Sequence, residues 1–95
     1  MTGDILEQAS AARLQGDNGQ AIRLCRDVLE KEPDNADAAS LLGVSLAETG
    51  DVQNARPFII RALETAPENW RYLLNYSVLL ECEGDIATAR TQAES

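Results

Sequence analysis

A Gly-Asp dipeptide recurs at Gly16-Asp17, Gly50-Asp51 and Gly84-Asp85, each 34 residues after the last. Other positions keep the same step: Ala21, Ala55 and Ala89; Leu29 and Leu63; Glu30 and Glu64; Pro33 and Pro67; Asn35 and Asn69. A fixed period of this length marks one supersecondary unit copied along a chain, each copy burying its apolar face against the next. The register divides the single 1–95 domain into repeat 1 (2–35), repeat 2 (36–69) and an incomplete repeat 3 (70–95).

Each unit reads as two helices around the Gly-Asp. In repeat 2, Ala39, Leu42, Leu46 and Ala47 keep the spacing of three and four of an amphipathic helix over Ala36 to Glu48, with Leu41 and Val44 on a neighbouring strip. Gly50 is suited to the left-handed residue that ends a helix, and Asp51 to the N-cap of the next. Asp17 with Gln20 has capping-box spacing. The second helix spans about Val52 to Thr65, with Ala55, Phe58, Ile59, Ala62 and Leu63 apolar, and Pro67 stops it. Ala21, Ala55 and Ala89 fall where paired helices approach most closely. Pro57 predicts a local bend or a lengthened first turn on a solvent-facing side. In repeat 3, Gly84-Asp85 predicts one more turn and a short sixth helix that ends at Ser95.

The pattern resembles the tetratricopeptide repeat (TPR), whose first helix carries Trp-x₂-Leu-Gly-x₂-Tyr. The corresponding runs here are Ala39-x₂-Leu42-Gly43-x₂-Leu46, Leu73-x₂-Tyr76-Ser77-x₂-Leu80 and the weaker Ile5-x₂-Gln8-Ala9-x₂-Ala12. The second-helix alanines and closing proline appear as Ala55, Ala62 and Pro67, and as Ala21, Val28 and Pro33. The resemblance implies an all-α fold, a right-handed α-solenoid of antiparallel helix pairs with about 2.8 units and six helices, the last one short. It also implies a concave groove lined by the first helices that holds a peptide or a partner helix. By register the groove presents Leu6, Glu7, Ser10, Asp37, Ser40, Leu41, Val44, Glu48, Arg71, Leu74, Asn75, Val78 and Glu81. This is an apolar stripe with a mainly acidic fringe, suited to an apolar protein or peptide partner with basic edges. Family members that clamp a chaperone's C-terminal carboxylate use two Lys, two Asn and one Arg. The matching positions here are Leu6, Ser10, Leu41, Arg71 and Asn75; only Arg71 keeps a suitable charge, and the apolar and hydroxyl replacements Leu6, Ser10 and Leu41 cannot neutralise a carboxylate.

Composition narrows the function further. The formal net charge is −8, from 8 basic and 16 acidic residues, and the basic residues are dispersed. That opposes a nucleic-acid or anionic-membrane partner. Arg23/Asp27, Arg26/Glu30 and Asp27/Lys31 have the four-residue spacing of helical charge pairs. Cys25 and Cys82 fall on different helices of different repeats and read as small packing residues rather than a disulfide. No membrane-length apolar stretch or secretory leader is visible, which makes the cytoplasm the expected location. Histidine is absent, there is no phosphate-cradling glycine loop, and Glu81, Glu83 and Asp85 lack the ligand spacing of a calcium loop. No metal or cofactor is expected. Asn75-Tyr76-Ser77 matches a glycosylation sequon by chance, inside a predicted helix. Trp70 is expected to pack at the junction of repeats 2 and 3.

The expectation is therefore a non-enzymatic interaction module or scaffold. Two alternatives arise from the incomplete third repeat. The chain is the N-terminal repeat segment of a larger bacterial-type enzyme, such as a sulfotransferase or glycosyltransferase. Or it is a homodimerising structural unit, joined through Val78, Leu79, Ile86, Ala89 and Ala93.

Overall fold

Turns form at two of the three Gly-Asp positions. The computed structural model describes the backbone of residues 2–94 and the side chains of residues 2–84. It contains five helices, in order α1 (Thr2–Leu14), α2 (Asn18–Lys31), α3 (Ala36–Glu48), α4 (Val52–Thr65) and α5 (Trp70–Glu94). All regular structure among the described residues is helical.

Gly16 and Gly50 are left-handed, with φ of 87° and 95°. At each, the two closing backbone bonds reach back into the helix: Gly16 N–H to Arg13 and Asp17 N–H to Ala12, then Gly50 N–H to Ala47 and Asp51 N–H to Leu46. This is the Schellman arrangement, and it uses carbonyls that the ending helix would otherwise leave unpaired. Gly84 has no left-handed φ, and α5 continues through it for 25 residues. The expected sixth helix is thus replaced by an extension of the fifth. Glycine permits the turn without imposing it, since running a helix through Gly costs only about 1 kcal/mol relative to Ala. What stabilises the first two turns is the helix that packs back afterwards, burying Ala21, Cys25 and Val28 on α2 and Ala55, Ile59 and Ala62 on α4.

Three of the four cap residues bond a backbone N–H. Asn35 Oδ1 accepts from Ala38 N–H at 3.0 Å, Asn69 Oδ1 from Arg71 N–H at 2.9 Å, and Asp17 Oδ1 from Gln20 N–H at 3.1 Å. Asp51 departs from expectation: its carboxylate accepts both bonds from the Asn54 side-chain amide and caps no backbone group. Gln20 likewise does not complete the capping box, because its Oε1 accepts from Arg23. Pro57 is exposed, and α4 runs through it unbroken.

The core lies around α3, which touches every other helix. Ala9, Ala21, Cys25, Leu42, Leu46, Ala47, Ala55, Ile59 and Leu79 form one buried cluster. Gly43 sits at a close approach: a Cβ built there would clash with Ile59 Cγ1 and stand 3.0 Å from the Ala55 carbonyl oxygen, tighter than nine in ten real Cβ contacts. Gly43 and the recurring alanine at Ala55 therefore let α3 and α4 approach closely. Cys25 and Cys82 form no disulfide with each other, and burial pushes the Cys25 thiol up to about 12.

The charge pairs differ from those expected within α2. Among the described residues, ion pairs join Arg13 of α1 to Glu48 of α3, Arg56 of α4 to Glu83 of α5, and Arg61 of α4 to Asp34 in the turn before α3. Among those residues, too, no helix is long and apolar enough to cross a membrane.

Candidate ligand-binding cleft on the first helices

The three first helices of the repeats, α1, α3 and α5, line one cleft of about 700 Å³. Nine of the register-predicted residues meet there: Leu6, Glu7, Ser10, Asp37, Ser40, Leu41, Arg71, Leu74 and Asn75. Glu48, Val78 and Glu81 lie outside its lining. Val44 is fully buried, contrary to its expected place at the surface, on a helix that packs against all four others.

Five further lining residues escaped the register reading: Gly3, Arg13, Leu14, Trp70 and Tyr72. A signal for most of them existed. Gly3, Leu6, Ser10 and Arg13 succeed one another at three or four residues along α1, and Trp70 stands four before Leu74 on α5. Trp70 is not packed at the repeat junction. It is 68% exposed at the start of α5, with the Arg71 guanidinium 5.5 Å from its ring centroid.

Side-chain bonds cross the seams between first helices with a constant offset of 35 residues. Arg13 grips Glu48 with two bonds, 2.6 Å from Nε and 3.2 Å from Nη2. The Tyr72 hydroxyl donates to Asp37 Oδ1 at 2.5 Å, and Asn75 Nδ2 donates to Ser40 Oγ at 2.7 Å. Burial first, then the bond to Asp37 and its negative charge, push the Tyr72 phenol up to about 12, against a smaller opposing pull from Arg71.

These bonds change the electrostatics expected from composition. Glu48 is neutralised by Arg13, and Asp37 is engaged by Tyr72. Glu7 and Arg71 are exposed cleft residues with no side-chain ion pair among the described residues. The cleft thus offers one acidic and one basic point, with Leu14, Leu74 and Trp70 as exposed apolar surface. Among the described residues no cluster of candidate metal ligands occurs, and the side chain of Asp85 lies outside them. A second depression of about 660 Å³ lies between α2 and α4, lined by Ile22, Leu29 and Phe58 among others, and is more open to solvent.

The profile of the tetratricopeptide repeat family matches residues 12–75. The chain is also 35% identical over 80 residues to the cellulose synthase 2 operon protein C of Komagataeibacter xylinus, a match that covers 84% of this chain. The aligned stretch is 6% of that relative's length. The chain belongs to the tetratricopeptide repeat family, whose members generally mediate protein–protein interaction.

Proposed function

We propose that the chain is a non-catalytic interaction module that takes an extended peptide or a partner helix in the cleft across α1, α3 and α5. The observation that supports this most directly is the convergence there of nine register-predicted side chains with exposed Leu14, Trp70 and Leu74. Apolar side chains held by a rigid helical frame, with a few polar groups that fix orientation, are what a peptide groove requires. The ligand this surface suits has aliphatic anchors, a basic group toward Glu7 and an acidic group or carbonyl toward Arg71. A carboxylate-clamp role is not part of the proposal, since Leu6, Ser10 and Leu41 supply no cation and leave Arg71 as the one clamp position with a positive charge.

Trp70 is the sole tryptophan and lines the cleft, so its fluorescence reports occupancy directly. Peptides with spaced aliphatic residues and one Lys or Arg should shift its emission and bind saturably. Leu74→Asp should weaken binding by tenfold or more, because it puts a charge on an anchoring surface. Leu74 is 55% exposed, so the fold should be retained. Unchanged affinity in a folded Leu74→Asp protein would place the ligand elsewhere.

A further inference from the structure

The residues at the register of the close Gly43–Ile59 contact vary in a compensating way between repeats. In repeat 2 it joins Gly43 to Ile59, with no room for even a Cβ on the glycine. At the same register repeat 1 has Ala9 and Cys25, both fully buried. Repeat 3 has Ser77 and Ala93. In the series Ala/Cys, Gly/Ile and Ser/Ala, the smallest first-helix residue accompanies the largest second-helix residue. Residues 86–94 therefore have the composition of a segment fitted to the Ser77 face, and Ala89 shares the register of the fully buried Ala21 and Ala55.

That face is open. Leu73 and Leu80 are each 46% exposed, whereas their counterparts Ala39 and Leu46, covered by α4, are 2% and 5% exposed. A continuous α5 cannot lay its own residues 86–94 on its own residues 73–80, since the two stretches succeed one another along a single axis. We propose that residues 86–94 of a second copy of the chain cover this face, and the reverse, giving a domain-swapped dimer whose α5 helices run antiparallel and cross at Gly84. In repeat 2, Gly43 meets Ala55 and Ile59 across the turn at Gly50-Asp51. The same pairing centred on Gly84-Asp85 sets Ser77 of one copy against Ala89 and Ala93 of the other. The contact is isologous and closes on itself, because each copy donates one segment and receives one. The surface differs from the one expected from sequence. Leu79 belongs to the core, Val78 is half-buried, and the side chains of Ile86, Ala89 and Ala93 lie outside the described residues.

Light scattering on the 95-residue chain should give twice the 10.3 kDa chain mass, falling to single chains on dilution. The double change Leu73→Asp, Leu80→Asp should abolish the dimer with helix content kept, both residues being exposed in the single chain. Cross-linking decides the pairing even if that variant unfolds. In a Cys82→Ala background, Ser77→Cys with Ala89→Cys should oxidise to a covalent dimer on a non-reducing gel. A bond formed within one chain, with monomer mass throughout, would show a closed hairpin and overturn the swap. So would single chains at every concentration. Gly84→Ala sharpens the distinction. It should leave a dimer built on continuous helices as tight or several-fold tighter, whereas a turn at Gly84 would be weakened by the lost left-handed glycine.

Discussion

Leu46 and Leu80 hold the same position one repeat apart, and one is 5% exposed while the other is 46% exposed. The helices that carry them start from the same Asn cap and share much of their register. They differ in how the chain continues beyond them. After Leu46 the chain turns at a left-handed Gly50, and α4 returns to cover α3. After Leu80 it passes a glycine of equal conformational freedom without turning. A turn signal is thus a licence whose use depends on downstream packing, and the repeat is the unit of stability only when both helices are in place.

The widest expected contrast is chemical. Cys25, sealed between the closed helices, should alkylate about a thousandfold more slowly near neutral pH than a thiol at the ordinary 9.0, because its value of about 12 leaves few thiolates. Timed mass spectrometry reads this, with a small-molecule thiol in the same solution as the comparison. The same groups set a limit on alkaline stability. Folded Cys25 and Tyr72 hold their protons to about 12, above the ordinary 9.0 and 10.0 they regain on unfolding. Their contribution is complete below about pH 9 and is lost as pH rises toward 12. Cys25→Ala with Tyr72→Phe should flatten that part of a denaturation-versus-pH curve.

Truncation tests packing next. Leu46→Ala should cost about 2–4 kcal/mol by urea unfolding, whereas Leu80→Ala, in chains dilute enough to be single, should cost under about 1. Equal losses would mean that the two faces are equally covered. Gly43→Ala should cost about 1–3 kcal/mol despite alanine's better helix propensity, since Ile59 and the Ala55 carbonyl must give way. Ser77→Ala should be near neutral. Caps give the smallest contrast. Asn35→Ala should lose about 1 kcal/mol, and Asp51→Ala less than about 0.5, because only Asn35 bonds a backbone N–H.

The bounds of α3 and α4 were legible because Asn35, Gly50, Asp51 and Pro67 punctuate them by local stereochemistry. The cleft was legible in part for the same reason, since a fixed register sets which side of α1, α3 and α5 faces together. What escaped depends on neighbours. Val44 is on the predicted stripe yet enclosed, a consequence of α3 touching four helices. The size of Trp70 suggests a place at the repeat junction, but at the first turn of α5 it stays largely exposed, with Arg71 over its ring. Asp51 gave way to a sequence-local competitor, Asn54, and among the described residues the ion pairs join residues far apart in sequence rather than within α2. The missing third turn is of the same kind, a choice made by packing rather than by Gly84.

The 35-residue stitches divide the cleft into two unlike seams. Between α3 and α5 its wall is held by Tyr72 with Asp37 and Asn75 with Ser40. One repeat earlier the positions of Ser40 and Asn75 are Leu6 and Leu41, and the polar stitch moves to the far end, at Arg13 and Glu48. An extended ligand laid across both seams would meet a greasy stretch and then a hydrated one, and the order reverses if the ligand is turned around. Such a surface has a direction. It would select the N-to-C orientation of its guest before any single side chain selects its sequence.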